Sequence, residues 1–127
     1  MPKSLFDRVA VVGAGTMGNG IAQTFAFYGA GVQLVDVDEV GLKRGIGAIE
    51  GSLARFVKKG TLPEAEAKAI VARIAPSKEL AAVRDAEFVV EAVVERPEVK
   101  ASVFRQLDAQ LPAHTILCSN TSSISIT

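Results

Sequence analysis

Three glycines with the spacing Gly13-x-Gly15-x-x-Gly18 stand between an apolar run and an amphipathic segment near the start of the chain. The run Arg8–Val12 predicts a buried strand. The segment Thr16–Tyr28 predicts a helix, because its apolar residues recur at helical spacing. A strand that turns directly into a helix through glycines is typical of a βαβ unit. This feature therefore favours a parallel sheet covered by helices.

Apolar runs continue to alternate with helical patterns along the rest of the chain, which extends the same prediction to a doubly wound sheet. The four further predicted strands are Val32–Asp36, Ile74–Pro76, Glu87–Ala92 and Thr115–Cys118. A helix that begins at Pro97 is predicted to connect the last two of these. The expected fold is one α/β domain, residues 1–127, with a Rossmann-like doubly wound parallel sheet that stops before a sixth strand.

The segment after the second predicted strand is long for a crossover. Apolar residues recur every three or four positions along Glu39–Lys59, which predicts a helix of about 20 residues, ~30 Å long, with a narrow seam for another helix. The seam residues are Leu42, Ile46, Ile49, Leu53 and Phe56. Gly60 ends this helix, and Thr61–Glu64 matches a capping box that opens a return helix to about Arg73. A helical hairpin over about 39–73 is therefore inserted after strand two.

The glycine spacing also indicates a dinucleotide site. Gly13 permits the tight turn, Gly15 lets a pyrophosphate approach the backbone, and Gly18 lets helix and strand pack closely. Thr16 and Met17 open the helix, whose free N–H groups are available to phosphates. We predict all five residues as cofactor-binding.

Asp36 lies 18 residues after Gly18, where a carboxylate can accept hydrogen bonds from an adenosine ribose. The residues that follow are Val37, Asp38 and Glu39, with no basic side chain for a 2′-phosphate, which favours NAD over NADP. FAD shares the glycine pattern and is the main rival ligand. The alternative interpretation is a glycine-rich turn with Asp36 as an ordinary strand-end or helix-capping acid.

Composition excludes several classes of protein. The 14 basic and 14 acidic residues balance, so no nucleic-acid or membrane-surface partner is expected. The single cysteine, Cys118, cannot form an internal disulfide, and with one histidine, His114, no Cys/His metal cluster is expected. The N-terminus has no signal-peptide pattern, which favours the cytoplasm, or the mitochondrial matrix in a eukaryote.

Three stretches, "GAGTMGNGIA", "EAVVERPEVK" and "SNTSSISIT", together resemble the NAD-binding domain of the 3-hydroxyacyl-CoA dehydrogenases. The resemblance runs from Arg8 to Thr127, and the 3-hydroxybutyryl-CoA branch is a good candidate. Related sugar-acid dehydrogenases and a lens crystallin share the domain, but the intact "SNTSS" favours the acyl-CoA enzymes. The resemblance implies NAD as cofactor and an acyl-CoA as substrate.

The resemblance assigns roles to four residues in the last third of the chain. Glu95 and Lys100 fall where the family contacts the cofactor near the nicotinamide. Ser122 matches the serine close to both the nicotinamide and the substrate's 3-oxygen, and Asn120 matches an asparagine that orders the site. Without the resemblance, a solvated ion pair near a helix start is the favoured interpretation of Glu95 and Lys100, and Ser122 could cap a following helix.

On the hairpin, the resemblance implies that Ser52 and Lys59 contact coenzyme A. The two residues are seven positions apart, so they share one face of the long helix. A lysine there can meet a CoA phosphate. The alternative is that Lys59, like Lys58 beside it, is an ordinary surface lysine.

The implied activity is the interconversion of (S)-3-hydroxyacyl-CoA and 3-oxoacyl-CoA by hydride transfer. His114 does not match the family's catalytic histidine, which, with its glutamate partner, is expected after Thr127. We therefore expect these 127 residues to be inactive alone, the whole enzyme to be a homodimer, and the isolated chain to self-associate through the edge of strand five. The alternatives are a stand-alone NAD-binding regulatory module and the cofactor domain of another hydroxy-acid dehydrogenase.

Overall fold

The computed structural model describes residues 7–92, 105–106 and 116–119. Five strands, three α-helices and one 3-10 helix lie in this part of the chain. Their order is β1 Arg8–Val12, α1 Thr16–Phe27, β2 Gly31–Val35, α2 Glu39–Lys58, α3 Glu64–Ala72, β3 Ile74–Ser77, the 3-10 helix Leu80–Asp85, β4 Phe88–Glu91 and β5 Ile116–Ser119. Of the helix predicted from Pro97, only Arg105 and Gln106, both helical, lie within the described residues.

The strands form one sheet in the order β3-β2-β1-β4-β5, and every neighbouring pair is parallel. This order is the one expected for the first five strands of a doubly wound fold, so the predicted fold class is confirmed. Seven of the ten strand ends differ from the predicted ones by one residue, and the other three coincide.

Both faces of the sheet are buried, which explains why its strands are almost continuously apolar. Val9 and Val11 of β1 belong to a core shared with α1, α2 and α3. The alternate residues, Ala10 and Val12, belong to a second core on the other face, which also contains Val83 of the 3-10 helix. The helical hairpin, α2 with α3, therefore lies on the same face as α1.

Three residues of the predicted seam on α2, Leu42, Ile49 and Leu53, are buried, and α2 contacts both α1 and α3. Ile46 is half-buried. The prediction was wrong for Phe56, whose side chain is 44% exposed. A repeat of 3.5 residues drifts by about 20° per seven residues around a straight helix, so the last seam position has turned away from the core.

The predicted capping box at Thr61–Glu64 was also wrong. The Thr61 hydroxyl donates back to the carbonyl of Phe56, 3.1 Å away, and so helps to close α2. Pro63 is the N-cap of α3, with no side-chain cap, and Glu64 is the first helical residue. Thr61 satisfies a carbonyl at the end of one helix instead of an N–H at the start of the next.

At the amino end of the sheet, Glu87 joins β4 to β1. Its Oε1 accepts hydrogen bonds from the backbone N–H of Asp7 (2.9 Å) and of Arg8 (3.1 Å). These two bonds, first that from Arg8, lower the pKa of the Glu87 carboxyl below its usual range. Arg8 adds a bond from its Nε to the carbonyl of Asp85, 2.7 Å away. The start of β1 is thus held in register from the β4 side.

Within the described residues, no helix has both the length and the apolar character needed to cross a membrane.

Candidate functional site

The glycine turn at the carboxyl end of β1 has the geometry that the sequence predicts. Gly13 has φ +106°, a conformation that L-residues with side chains rarely adopt, and its N–H donates to the carbonyl of Val35, 2.7 Å away. A Cβ on Gly18 would lie 1.7 Å from the carbonyl oxygen of Gly13, so α1 packs directly onto the turn. Gly13 therefore requires glycine for its backbone conformation, and Gly18 requires it for lack of space.

Gly15 differs from Gly18: apart from its chain neighbours, no atom of the described residues lies within 4 Å of the position its Cβ would occupy. It is the N-cap of α1 and provides no side-chain cap, and the first turn contains no acidic residue. Thr16 and Met17 follow at the surface, with Met17 51% exposed. The backbone N–H groups at this helix start are therefore accessible to an anion, as a bound pyrophosphate requires.

Asp36, directly after β2, faces this turn and links it to the next loop. Its Oδ2 accepts a hydrogen bond from the N–H of Ala14, and its Oδ1 accepts one from the N–H of Asp38, both 2.9 Å long. Each carboxylate oxygen has a further lone pair with which to accept from a ribose hydroxyl. Sequence reasoning predicted the ribose contact but not these backbone bonds, which fix the direction of the carboxylate.

On the hairpin, Ser52 faces α1. Its hydroxyl accepts a hydrogen bond from Nε2 of Gln23, 3.1 Å away, and is half-buried. The hydroxyl proton of Ser52 stays available for donation. Lys59 lies one residue past the end of α2 and is exposed, and it takes part in none of the ion pairs seen among the described residues. The structure thus places Ser52 against α1 and Lys59 at the surface.

Four predicted site residues, Asn120, Ser122, Glu95 and Lys100, lie outside the described residues. His114 does too. The carboxyl ends of the strands that precede them are described: Glu91 is aligned with Val12 on β1 and with Ser119 on β5. The three strands end side by side, at the switch point where ligands bind in open α/β sheets.

Two features of this region were missed by sequence reasoning. Glu91 is fully buried although it is ionisable, and the signal available was an acid inside the apolar run "FVVEA". Gly45 lies against the glycine turn, and a side chain there would strike Ala14. In the sequence Gly45 is one of several glycines on α2, and only the packing separates it from the others.

Among the described residues, no group of three or more His, Cys, Asp or Glu side chains could hold a metal ion. The described site is thus built from backbone N–H groups and one carboxylate, which fits an anionic dinucleotide with free ribose hydroxyls.

Residues 8–127 match the family described as "3-hydroxyacyl-CoA dehydrogenase, NAD binding domain". The chain is 42% identical, over 94% of its length, to the probable 3-hydroxybutyryl-CoA dehydrogenase of Bacillus subtilis. It is also 42% identical, over 98% of its length, to the 3-hydroxybutyryl-CoA dehydrogenase of Bradyrhizobium diazoefficiens. The chain spans 42% of the length of each of these relatives.

A solved structure gives the same result. The (S)-3-hydroxybutyryl-CoA dehydrogenase of Ralstonia eutropha superposes with a TM-score of 0.90 at 39% identity, covering 96% of this chain and 43% of that one. The matched family is an NAD-binding domain, which confirms NAD, and not FAD, as the cofactor. The resemblance found in the sequence is confirmed as well: the chain belongs to the 3-hydroxyacyl-CoA dehydrogenase NAD-binding domain family.

Proposed function

We propose that this chain is the NAD-binding portion of an enzyme that interconverts (S)-3-hydroxyacyl-CoA and 3-oxoacyl-CoA. The observation that carries the proposal is a complete dinucleotide turn in a chain 42% identical to proteins named 3-hydroxybutyryl-CoA dehydrogenase. When bound, NAD supplies the hydride acceptor for oxidation of the 3-hydroxyl group. The residues of the chain bind and orient it.

The work of the described residues is positioning. The N–H groups at the start of α1 face the pyrophosphate, with Gly15 allowing close approach. The Asp36 carboxylate is held beside the turn by two backbone bonds, in a position to accept hydrogen bonds from the adenosine ribose. Its negative charge would repel a 2′-phosphate. These residues would hold the adenosine half, and the carboxyl ends of β4 and β5 would be left for the nicotinamide half.

At those strand ends we place the reacting groups. Ser122 is proposed to exchange a hydrogen bond with the substrate's 3-oxygen, with Asn120 ordering it and with Glu95 and Lys100 contacting the nicotinamide end. Oxidation also needs a base to take the hydroxyl proton as the hydride leaves. We propose that this base is a histidine, paired with glutamate, that lies outside these 127 residues.

The hairpin is proposed to bind coenzyme A through Ser52 and Lys59. Ser52 keeps a donor proton beside its bond from Gln23, and Lys59 presents an exposed ammonium group to a phosphate. In the full-length enzyme, Lys59→Ala should raise the acyl-CoA KM several-fold and leave the NADH KM unchanged. Lys58→Ala, one residue earlier and also exposed, is the matched control. Equal acyl-CoA KM values for the two variants would identify Lys59 as an ordinary surface lysine.

The activity itself is tested by following NADH oxidation with acetoacetyl-CoA. The full-length enzyme should turn over, Ser122→Ala should be strongly impaired, and the 127-residue chain alone should show negligible turnover. Ser123→Ala is the matched control. A full-length protein that binds NADH but turns over no 3-oxoacyl-CoA would point to a regulatory module. Robust turnover by the 127-residue chain would contradict the proposed external base.

A homodimeric full-length enzyme and self-association of the isolated chain are also proposed. β5 stands last in the strand order of the described residues and pairs there with β4, and we propose that a second copy pairs with its other edge. Light scattering of the 127-residue chain over a concentration series should show growth in mass. A monomer at every concentration would rule out edge pairing.

A further inference from the structure

The hairpin helix α2 lies directly against the glycine turn at one residue, Gly45. A Cβ on Gly45 would stand 2.5 Å from the carbonyl oxygen of Ala14 and 3.0 Å from the Ala14 Cβ. Gly45 is buried, in the first half of a 20-residue helix. Backbone packs against backbone here, so a side chain could be accommodated only if the helix or the turn moved.

Ala14 lies in the middle of the glycine turn and is buried. It lies between Gly13 and Gly15, and its N–H donates to Oδ2 of Asp36, 2.9 Å away. The N–H of Ala14 is therefore bound by the Asp36 carboxylate, and the carbonyl of Ala14 lies against α2 at Gly45. A shift of Ala14 would displace the neighbouring glycines and turn the Asp36 carboxylate.

A second glycine on α2 shows that helix formation alone does not explain Gly45. Glycine is among the poorest helix formers, so each glycine on α2 weakens the helix. Gly47 is exposed, and apart from its own helix backbone no atom in the described part of the chain lies within 4 Å of its Cβ position, so alanine fits there without displacing a neighbour. At Gly45 the space itself requires glycine.

We propose that Gly45 is a positioning residue that seats the hairpin helix on the glycine turn and thereby sets the affinity for NADH through Ala14. The inference depends on NAD as the cofactor and is independent of the substrate bound by the hairpin. It makes α2 a structural support of the cofactor site, in addition to its proposed contact with coenzyme A.

The test compares Gly45→Ala with Gly47→Ala, two identical changes two residues apart on one helix. NADH affinity is measured by fluorescence titration well below the thermal midpoint of each variant, so that loss of stability alone leaves the Kd unchanged. Gly45→Ala should bind NADH at least about 10-fold more weakly, and Gly47→Ala should match the parent within about twofold. Equal affinities in the two variants would overturn the proposal. A parent protein without NADH affinity would overturn the cofactor assignment as well.

Hydrogen exchange in the parent protein keeps the proposal testable if Gly45→Ala does not fold. NADH bound at the turn should slow exchange of the amides from Gly45 to Ile49. It should slow exchange of the α3 amides less, because no contact between α3 and the glycine turn is seen among the described residues. The absence of any NADH-dependent protection at Gly45 to Ile49 would overturn the proposal.

Discussion

A carboxylate holds two backbone N–H groups at each end of β1, Asp36 at the carboxyl end and Glu87 at the amino end. Asp36 uses one oxygen for each bond, to Ala14 and to Asp38, and so joins two loops. Glu87 uses a single oxygen for both bonds, to the consecutive residues Asp7 and Arg8. Only the carboxyl end adds an uncapped helix start and a glycine turn. A carboxylate bonded to the backbone thus fixes a strand end, whereas a binding site also needs open N–H groups beside it.

The largest effect on NADH affinity is expected from Gly18→Ala, which disrupts the glycine turn at the carboxyl end of β1. Its Cβ would lie 1.7 Å from the Gly13 carbonyl oxygen, so α1 must move away from the turn. NADH affinity should fall by about 100-fold or more, with a clear loss of thermal stability. Gly20→Ala is the matched control for calorimetric titration, since apart from its own helix backbone no atom among the described residues lies within 4 Å of the Gly20 Cβ position. Unchanged NADH binding by Gly18→Ala would refute the role given to the turn.

Asp36→Ala tests the carboxylate at the same end. It removes charge-assisted hydrogen bonds worth roughly 1.5–3 kcal/mol, so NADH affinity should fall by roughly 10- to 100-fold. The preference for NADH over NADPH should narrow, because the repulsion of the 2′-phosphate is gone. Asp38→Ala is the control: that carboxylate caps α2 by accepting from Val40 N–H and should cost helix stability more than NADH affinity. Equal NADH and NADPH affinities in the parent would contradict the assignment of Asp36.

The smallest effect is expected from Glu87→Gln, at the amino end. The folded-state pKa of Glu87 is lowered, so its charge contributes stability at pH values above the ordinary 4.5, and this contribution is lost as the pH falls through the folded-state pKa. Urea unfolding should show the variant less stable than the parent at pH 7, with the difference shrinking below pH 4.5. Glu50→Gln, on an exposed turn of α2, is the control. A weaker NADH affinity in Glu87→Gln would contradict the assignment of a purely structural role to the amino end of β1.

The features that sequence alone predicted are those decided locally. The turn from β1 to α1 depends on backbone conformation and close packing at Gly13 and Gly18, a few residues apart. The strand order follows from the general rule that crossovers between parallel strands are right-handed. The errors lie where neighbours in space decide. Phe56 keeps the apolar spacing but faces solvent, because the seam drifts around α2. The Thr61 hydroxyl could have capped α3, but it donates to the Phe56 carbonyl at the end of α2.

The contacts that could not be predicted from the sequence join elements far apart in the chain. The bond from Ala14 to Asp36 spans 22 positions, and the contact of Gly45 with Ala14 depends on where a crossover helix comes to rest. The bond from Gln23 to Ser52 is of the same kind. Each needs the packed structure, because residue type limits these contacts without specifying the partner.

The two backbone bonds of Asp36 have a consequence for redesign of the coenzyme preference. A change to NADP would ordinarily begin by replacing this acid with a small or basic residue. Here such a replacement also releases the N–H groups of Ala14 and Asp38, so the turn loses its tether together with its negative charge. Asparagine at position 36 can keep only one of these bonds through its oxygen. A successful exchange of coenzyme therefore requires a second substitution that holds the two loops together by other means.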